Sequence, residues 1–273
     1  MSGKHALKIC LLLCFLTSSL LACDGLPTIA LTTTPPPSPQ PTSTADMPFN
    51  TWITTAPGIE IRKEDWKSEG NNEDTIIITR FNLKQVHLSI GYQPDKPLTI
   101  GEWLHQKKVK AVINGGYFDQ DNRPTGLLIS NGNAFGSSYQ GFGGMLSVDN
   151  KGHVGLRSLR TSPYSPGAEQ LQQVTQSSPM LMIDGKRTQF ASNAASQRRS
   201  VVATDTQGRL LFIVSPGQAF TLDELADLLA ASDLSLKNAL NLDGGASTGL
   251  YVNGATKVTV DAFTSLPIAI LVK

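Results

Sequence analysis

The sequence predicts an α+β protein: mixed, largely antiparallel β-sheets with a few packed helices, folded as a single domain. Three observations carry this. Short runs rich in β-branched residues recur through the chain. Many are separated by turn residues that supply positive φ, such as Asn131-Gly132, Asn150-Lys151-Gly152, Asp184-Gly185, Thr206-Gln207-Gly208 and Asn253-Gly254. Clear helix starts are few, so the regular βαβ alternation of a parallel sheet is not expected.

The first residues stand apart. Lys4 and Lys8 make a basic start, Ile9 to Leu21 is almost wholly apolar, and Ala22-Cys23 follows. That order reads as a secretory signal over residues 1–22. Leu20-Leu21-Ala22-Cys23 looks like a bacterial lipobox, in which Cys23 becomes the first residue and carries lipid. Of the 3 cysteines, Cys10 and Cys14 lie inside the signal, so the exported chain has no pair for an internal disulfide. The alternative is ordinary cleavage that leaves a spare thiol. Acylation would anchor the protein to the bacterial membrane, facing the extracytoplasmic side. After Cys23, Asp24–Asn50 holds Pro27, Pro35, Pro36, Pro37, Pro39, Pro41 and Pro48 among threonines and serines. Such a tract buries no core and reads as a semi-rigid tether, so residues 23–50 are a lipidated linker and 51–273 the folded domain.

Within that domain, strands are expected at Thr75–Arg80, Gln85–Tyr92, Val109–Ile113, Gly126–Ser130, Met145–Asp149 and Met180–Asp184. More are expected at Ser200–Thr204, Arg209–Ser215, Ala239–Leu242, Gly249–Val252 and Ile268–Val272. Thr99-Ile100-Gly101-Glu102 and Thr221-Leu222-Asp223-Glu224 are capping boxes that open helices. The second leads into an apolar stripe of Leu222, Leu225, Leu228 and Leu229.

Composition narrows the function classes. With 40% hydrophobic residues the chain is not disordered as a whole. A formal charge of +1 argues against nucleic acid as a partner, since phosphate backbones need a basic stripe. No apolar run after residue 30 approaches the ~20 residues of a membrane span.

Three corners carry the candidate chemistry. In Asn241-Leu242-Asp243-Gly244-Gly245-Ala246-Ser247-Thr248 a strand ends at a carboxylate, two glycines and two hydroxyls. The glycine amides could form an anion-binding nest facing Asp243; a tight turn with Asp243 capping its own backbone is equally open. Asn114-Gly115-Gly116-Tyr117-Phe118 repeats the theme after Val109–Ile113, with a plain turn and core aromatics as the alternative. Arg198-Arg199 enters Ser200–Thr204, where an arginine could clasp a phosphate or carboxylate, or could be half of a solvated pair beside Gln197.

Other motifs are set aside. Gly245-Ala246-Ser247-Thr248-Gly249 matches the serine-hydrolase elbow, but a strand and turn follow it and the last histidine is His153. His5, His87, His105 and His153 are too scattered for a histidine-based zinc site, and no metal is expected as a ligated cofactor. Asp119 and Asp121 hint at a calcium loop that Arg123 and Pro124 break. Glu102 is a possible acid, though its capping role suffices.

Together the corners resemble the phosphodiester glycosidase family. Asn114–Phe118 is similar to that family's Asn-Gly-Gly-Phe-Phe. Asn241–Gly245 matches its Asn-Leu-Asp-Gly-Gly, Arg199-Ser200-Val201-Val202 its strand-opening arginine, and Gln176–Leu181 with Asp184-Gly185 its segment around a proline. The resemblance spans about Trp103 to Tyr251. The chain departs from the pattern at Tyr117, Val201 and Ala246.

The resemblance implies hydrolysis of the glycosidic bond of a sugar-1-phosphodiester of N-acetylglucosamine type, on an exported glycan or glycoconjugate. No cofactor is required, and a divalent cation is left open. Such a bond breaks through an oxocarbenium-like state served by carboxylates. Asp243 is the expected principal carboxylate. Arg199 and the amides of Gly244 and Gly245 would hold the phosphate, and Asn114 the sugar or bridging oxygen. Gly115, Gly116, Phe118, Ser247 and Thr248 would complete the contacts. Asp119, Asp184 and Glu102 are the candidates for a second carboxylate. The competing class is a non-catalytic surface lipoprotein that binds a phosphoglycan strand. A phosphodiesterase cutting at phosphorus would need clustered metal ligands.

Overall fold

The computed structural model describes residues 46–191 and 194–273. The expected signal, the cysteine expected to carry lipid (Cys23) and nearly all of the linker lie outside the described residues. The last linker residues do not. Met47 is buried in the main core and Phe49 bridges Lys63, so the folded body begins a few residues before 51.

In chain order the first strands are β1 (Ile53–Ala56), β2 (Ile59–Lys67), β3 (Glu73–Phe81) and β4 (Leu88–Tyr92), followed by helix α1 (Ile100–Lys107). Next come β5 (Ala111–Asn114), β6 (Leu128–Ser130), β7 (Asn133–Phe135), β8 (Gly144–Asp149), β9 (Val154–Ser158) and β10 (Leu171–Ser177). Then follow β11 (Met180–Ile183), β12 (Lys186–Arg187), β13 (Gln197–Asp205) and β14 (Leu210–Phe220). Helix α2 (Leu222–Ala231), β15 (Leu236–Asn241), β16 (Leu250–Val252), β17 (Val258–Val260) and β18 (Ile268–Val272) complete the chain.

These strands form an 8-stranded sheet in the order β1-β2-β3-β14-β13-β15-β11-β12 and two 5-stranded sheets, β7-β6-β10-β8-β9 and β17-β16-β5-β18-β4. All described pairs between named strands are antiparallel. The α+β expectation therefore holds.

All three sheets contribute to the main core, with Phe81 and Phe212 edge to face at 4.7 Å beside Leu128, Ile113 and Ile270. Side chains alternate across a strand. On β13, Val202 joins this core while Val201 and Ala203 face a second core covered by α2. The central strands are thus buried on both faces. A third core lies under α1, where Trp103 is fully buried and donates from Nε1 to the Leu266 carbonyl at 2.9 Å. Gly91 makes that possible: a Cβ there would lie 2.4 Å from the indole.

Both capping boxes form. Thr99 and Glu102 exchange hydrogen bonds at the start of α1, as do Thr221 and Glu224 at the start of α2. The turn chemistry forms as well at Asn131-Gly132 and Asp184-Gly185, where both residues have positive φ. Gly254 differs, because its role is close approach: a Cβ would lie 2.2 Å from the Thr55 hydroxyl.

Strands β1, β2, β7, β9, β10, β12 and β17 are not among the sequence expectations, and β2 and β10 show why. β2 is heavily charged, yet Lys63 and Glu64 are buried. Glu64 pairs with Arg62 and accepts from Trp66 Nε1 at 2.7 Å, so its charge is compensated in place. β10 is rich in glutamine, with Gln172, Gln173 and Gln176. Its Gln173 amide is buried because it accepts from Ile90 N at 2.9 Å and donates to Asn131 at 3.0 Å.

Candidate active site

The three sequence corners meet where strands from all three sheets end. Asn114 closes β5, Ser177 closes β10, Asn241 closes β15, and Arg198-Arg199 lie at the start of β13. β13 and β15 pair Val201 with Asn241, and Leu242 N continues the ladder to the Ser200 carbonyl at 2.8 Å. Beyond that point the chain leaves β13, and Asp243 N donates to the Gly115 carbonyl at 3.1 Å. The Tyr117 hydroxyl feels both charges, Asp243 raising its pKa and Arg199 lowering it.

Asp243 is half-buried. That burial raises its carboxyl above the ordinary aspartate value, opposed by hydrogen bonds from the Ser247 hydroxyl and the Gly244 amide. The Gly244 N–H donates to Asp243 Oδ1 at 2.9 Å. The carboxylate therefore caps its own turn, and the Gly244 amide is not an open donor to phosphate. Gly244 is held to glycine by the Arg198 carbonyl, 2.9 Å from where a Cβ would stand. Gly245 has φ +58 and opens the 3-10 turn Gly245–Ser247. After Ser247 the chain enters β16 and not a helix, as expected in setting the hydrolase elbow aside. Thr248 is fully buried and its hydroxyl meets no hydrogen-bond partner.

Arg199 is 7% exposed. Its guanidinium donates to the carbonyls of Phe220, at 3.3 Å, and Ala195, at 2.7 Å. Among the described residues no carboxylate pairs with it, and burial lowers its pKa. The solvated-pair alternative is thereby overturned. Arg198, on the other face of β13, is also buried. It donates to the carbonyls of Pro216 and Asp261 and stacks on Phe263 at 4.0 Å.

The Asn114 corner is placed differently from expectation. Asn114 is 1% exposed, and its side chain is engaged with protein at both ends. Nδ2 donates to the Asp243 carbonyl at 2.7 Å, while Oδ1 accepts from Ser200 Oγ at 2.7 Å and Gly249 N at 3.2 Å. Saturated in this way, it positions the Asp243 turn and leaves no atom for a sugar. The Gly115 and Gly116 amides are likewise used, by the Ile268 carbonyl and the Thr175 hydroxyl. These glycines serve close approach, since a Cβ would lie 2.3 Å from Ile268 Cγ2 or 2.1 Å from the Gln176 carbonyl. Phe118 packs on the main core rather than lining the site.

The three carboxylates considered as second acids are elsewhere. Glu102 accepts the cap hydrogen bonds of α1, which lower its pKa. Asp184 occupies the β11–β12 turn at φ 48. Asp119 Oδ1 is exposed and accepts the Asp121 and Arg123 amides of its own loop.

In their place the site gains tyrosines. Tyr117 donates to the Ser178 carbonyl at 2.9 Å and accepts from Asn241 Nδ2 at 2.8 Å, and burial raises it to about 12. Tyr139 bonds Thr125 at 2.7 Å, and its pKa is raised by burial and by the Asp243 charge. Tyr117 lies inside a motif the sequence exposes; nothing local marks Tyr139. A cleft of 560 Å³ opens from Ser178 and Pro179 toward Phe142, Arg160 and Phe190. Among the described residues no group of three or more His, Cys, Asp or Glu side chains is set to hold a metal ion.

A three-sheet α+β body thus carries, where its strands end, a partly buried carboxylate and a buried arginine whose partners are carbonyls. The chain belongs to the phosphodiester glycosidase family, whose model matches residues 107–273. It is 31% identical over 162 residues to the uncharacterized protein YigE of Escherichia coli strain K12, covering 55% of this chain and 60% of that relative.

Solved structures share the fold. The zebrafish N-acetylglucosamine-1-phosphodiester α-N-acetylglucosaminidase catalytic domain, auto-inhibited by its pro-peptide, superposes with a TM-score of 0.64 at 18% identity, over 85% of this chain and 86% of that one. A hypothetical protein from Synechocystis gives 0.62 at 16% identity, over 84% and 64%. A protein from Burkholderia pseudomallei gives 0.54 at 10%, over 74% of each.

Proposed function

We propose that this protein hydrolyses the glycosidic bond of a sugar-1-phosphodiester, of N-acetylglucosamine type, with Asp243 and Arg199 as its central pair. The observation that carries this is the state of Arg199. A buried cation with only carbonyl partners is costly to maintain, and a phosphate oxygen set against it completes its charge. The Tyr117 hydroxyl is within reach of both charges, and the Asp243 carboxylate stabilises or attacks an oxocarbenium-like anomeric carbon. Water adds at the anomeric carbon, the C–O bond breaks, and the bridging oxygen leaves with the phosphate. A phosphomonoester is a good leaving group, so the absence of a second carboxylate from the described junction suits this bond. Ser247 and the Gly244 amide hold Asp243, and Asn114 holds its backbone.

The test is incubation of the full chain with the methyl diester of N-acetylglucosamine-1-phosphate in heavy-oxygen water. Labelled free sugar with an unlabelled phosphomonoester supports the reading. Label on phosphate moves the chemistry to phosphorus and overturns it. Saturable binding without product makes the protein a phosphoglycan-binding module. Export and lipid anchoring belong to the same proposal, supported by the basic-apolar start, Cys23 and the Pro/Thr tract. Palmitate labelling that persists in Cys23→Ser would remove the anchor.

A further inference from the structure

The 560 Å³ cleft beside Ser178 has features that the Asp243–Arg199 pair does not use. Phe142 stands in its wall, 51% exposed, in a structure that buries most of its large apolar side chains. Its exposure is imposed by a built loop. Gly141 and Gly143 flank it at φ +73 and +74, a backbone that other residues rarely adopt. A Cβ on Gly143 would lie 2.6 Å from the Ser177 carbonyl, so the loop is seated hard against the end of β10. The buried Gln176 amide fastens the loop's other side, accepting from Tyr139 N at 2.9 Å and donating to Ser138 at 2.8 Å. Tyr139 backs Phe142 with ring centroids 4.6 Å apart and also senses the Asp243 charge. The Tyr139 ring thus backs the aromatic wall and lies within reach of the Asp243 charge. Phe190, Pro179 and Met180 line the same cleft, and Arg160 adds a cation that no carboxylate pairs among the described residues.

We infer that this cleft is a subsite for a second, phosphorylated sugar unit, which places a phosphate-linked sugar chain rather than a small diester in the site. The inference rests on the reading of Asp243 and Arg199 given above. An exposed aromatic ring offers a flat apolar face to the C–H face of a pyranose, and an unpaired guanidinium recognises a phosphate. The cleft volume falls within the about 300–1,000 Å³ of ordinary ligand sites. Hydrolysis itself proceeds as proposed above; the cleft contributes binding and no covalent step.

The test compares the full chain with its Phe142→Ala and Arg160→Ala variants on two probes. One is the methyl diester of N-acetylglucosamine-1-phosphate. The other is a synthetic dimer of phosphate-linked N-acetylglucosamine units that ends in phosphate. Each substitution is expected to lower kcat/KM for the dimer about tenfold and to leave the methyl diester within about twofold. Equal losses on both probes, or none on either, overturn the subsite. If neither probe is hydrolysed, the activity reading fails by itself, and calorimetric binding of the dimer decides the cleft. A Kd about tenfold weaker in both variants sustains it, and an unchanged Kd removes it.

Discussion

Asn114 holds Asp243 by its backbone. Nδ2 of the one donates to the carbonyl of the other at 2.7 Å across 129 residues of chain. The same amide oxygen ties Ser200 of β13 and Gly249 ahead of β16. Replacing Asn114 by Ala leaves several buried groups unpaired, each costing about 1–3 kcal/mol. The variant is expected to lose roughly 2–5 kcal/mol in urea unfolding and to lose kcat with it. Unchanged stability with a raised KM would return Asn114 to substrate contact.

Asp243→Asn is expected to abolish turnover while raising Tm at pH 7. The direction follows from burial, which raises the folded-state pKa. A carboxyl raised on folding contributes stability below its unfolded pKa and loses it as pH rises through the folded value. At neutral pH the wild type therefore carries an unfavourable buried charge that the amide lacks. The Tm difference should close as pH falls below the usual carboxylate range. A variant less stable at pH 7 would contradict this account.

Glycine has opposite meanings at two positions. Gly116→Ala drives a Cβ to 2.1 Å from the Gln176 carbonyl, a backbone atom that cannot rotate away. A loss of at least about 1–3 kcal/mol is expected, by thermal or urea unfolding. Gly101 sits in α1, and a Cβ there would meet no heavy atom within 4 Å. Gly101→Ala is expected to stabilise by about 0.5–1 kcal/mol through helix propensity alone.

Glu224 does more than cap α2. Oε2 accepts from Thr221 N, while Oε1 accepts from Ser68 and Asn72 in the β2–β3 turn. These bonds hold its carboxyl down at about 2 from the usual 4.5. A depressed carboxyl contributes stability above its unfolded pKa and loses it as pH falls through the folded one. The contribution should vanish between about pH 4.5 and pH 2. Glu224→Gln should flatten that part of the acid-unfolding curve and cost about 0.5–2 kcal/mol at pH 7. A full-size acid slope in the variant would assign it to other groups.

Local physics was legible in the sequence and distant pairing was not. The boxes at Thr99 and Thr221 and the turn at Asn131-Gly132 depend on residues within a few positions, and they form as read. β2 and β10 escaped because Glu64 and Gln173 look like surface residues until their partners are in place. The site divides in the same way. Asp243, Arg199 and Asn114 stood out by residue type at strand ends. The role of Asn114 depends on a carbonyl far along the chain, and Tyr139 depends on an anchoring glutamine 37 positions away.

The convergence of three sheets on one point also governs how the protein fails. Asn114, Ser178, Arg199 and Asp243 come from different sheets or from opposite ends of paired strands, so no separable fragment contains a working set. Under the proposed activity, turnover is expected to be an all-or-none reporter of the native body. Loss of activity on heating should coincide with loss of near-ultraviolet signal, with no active remnant surviving a nick between sheets.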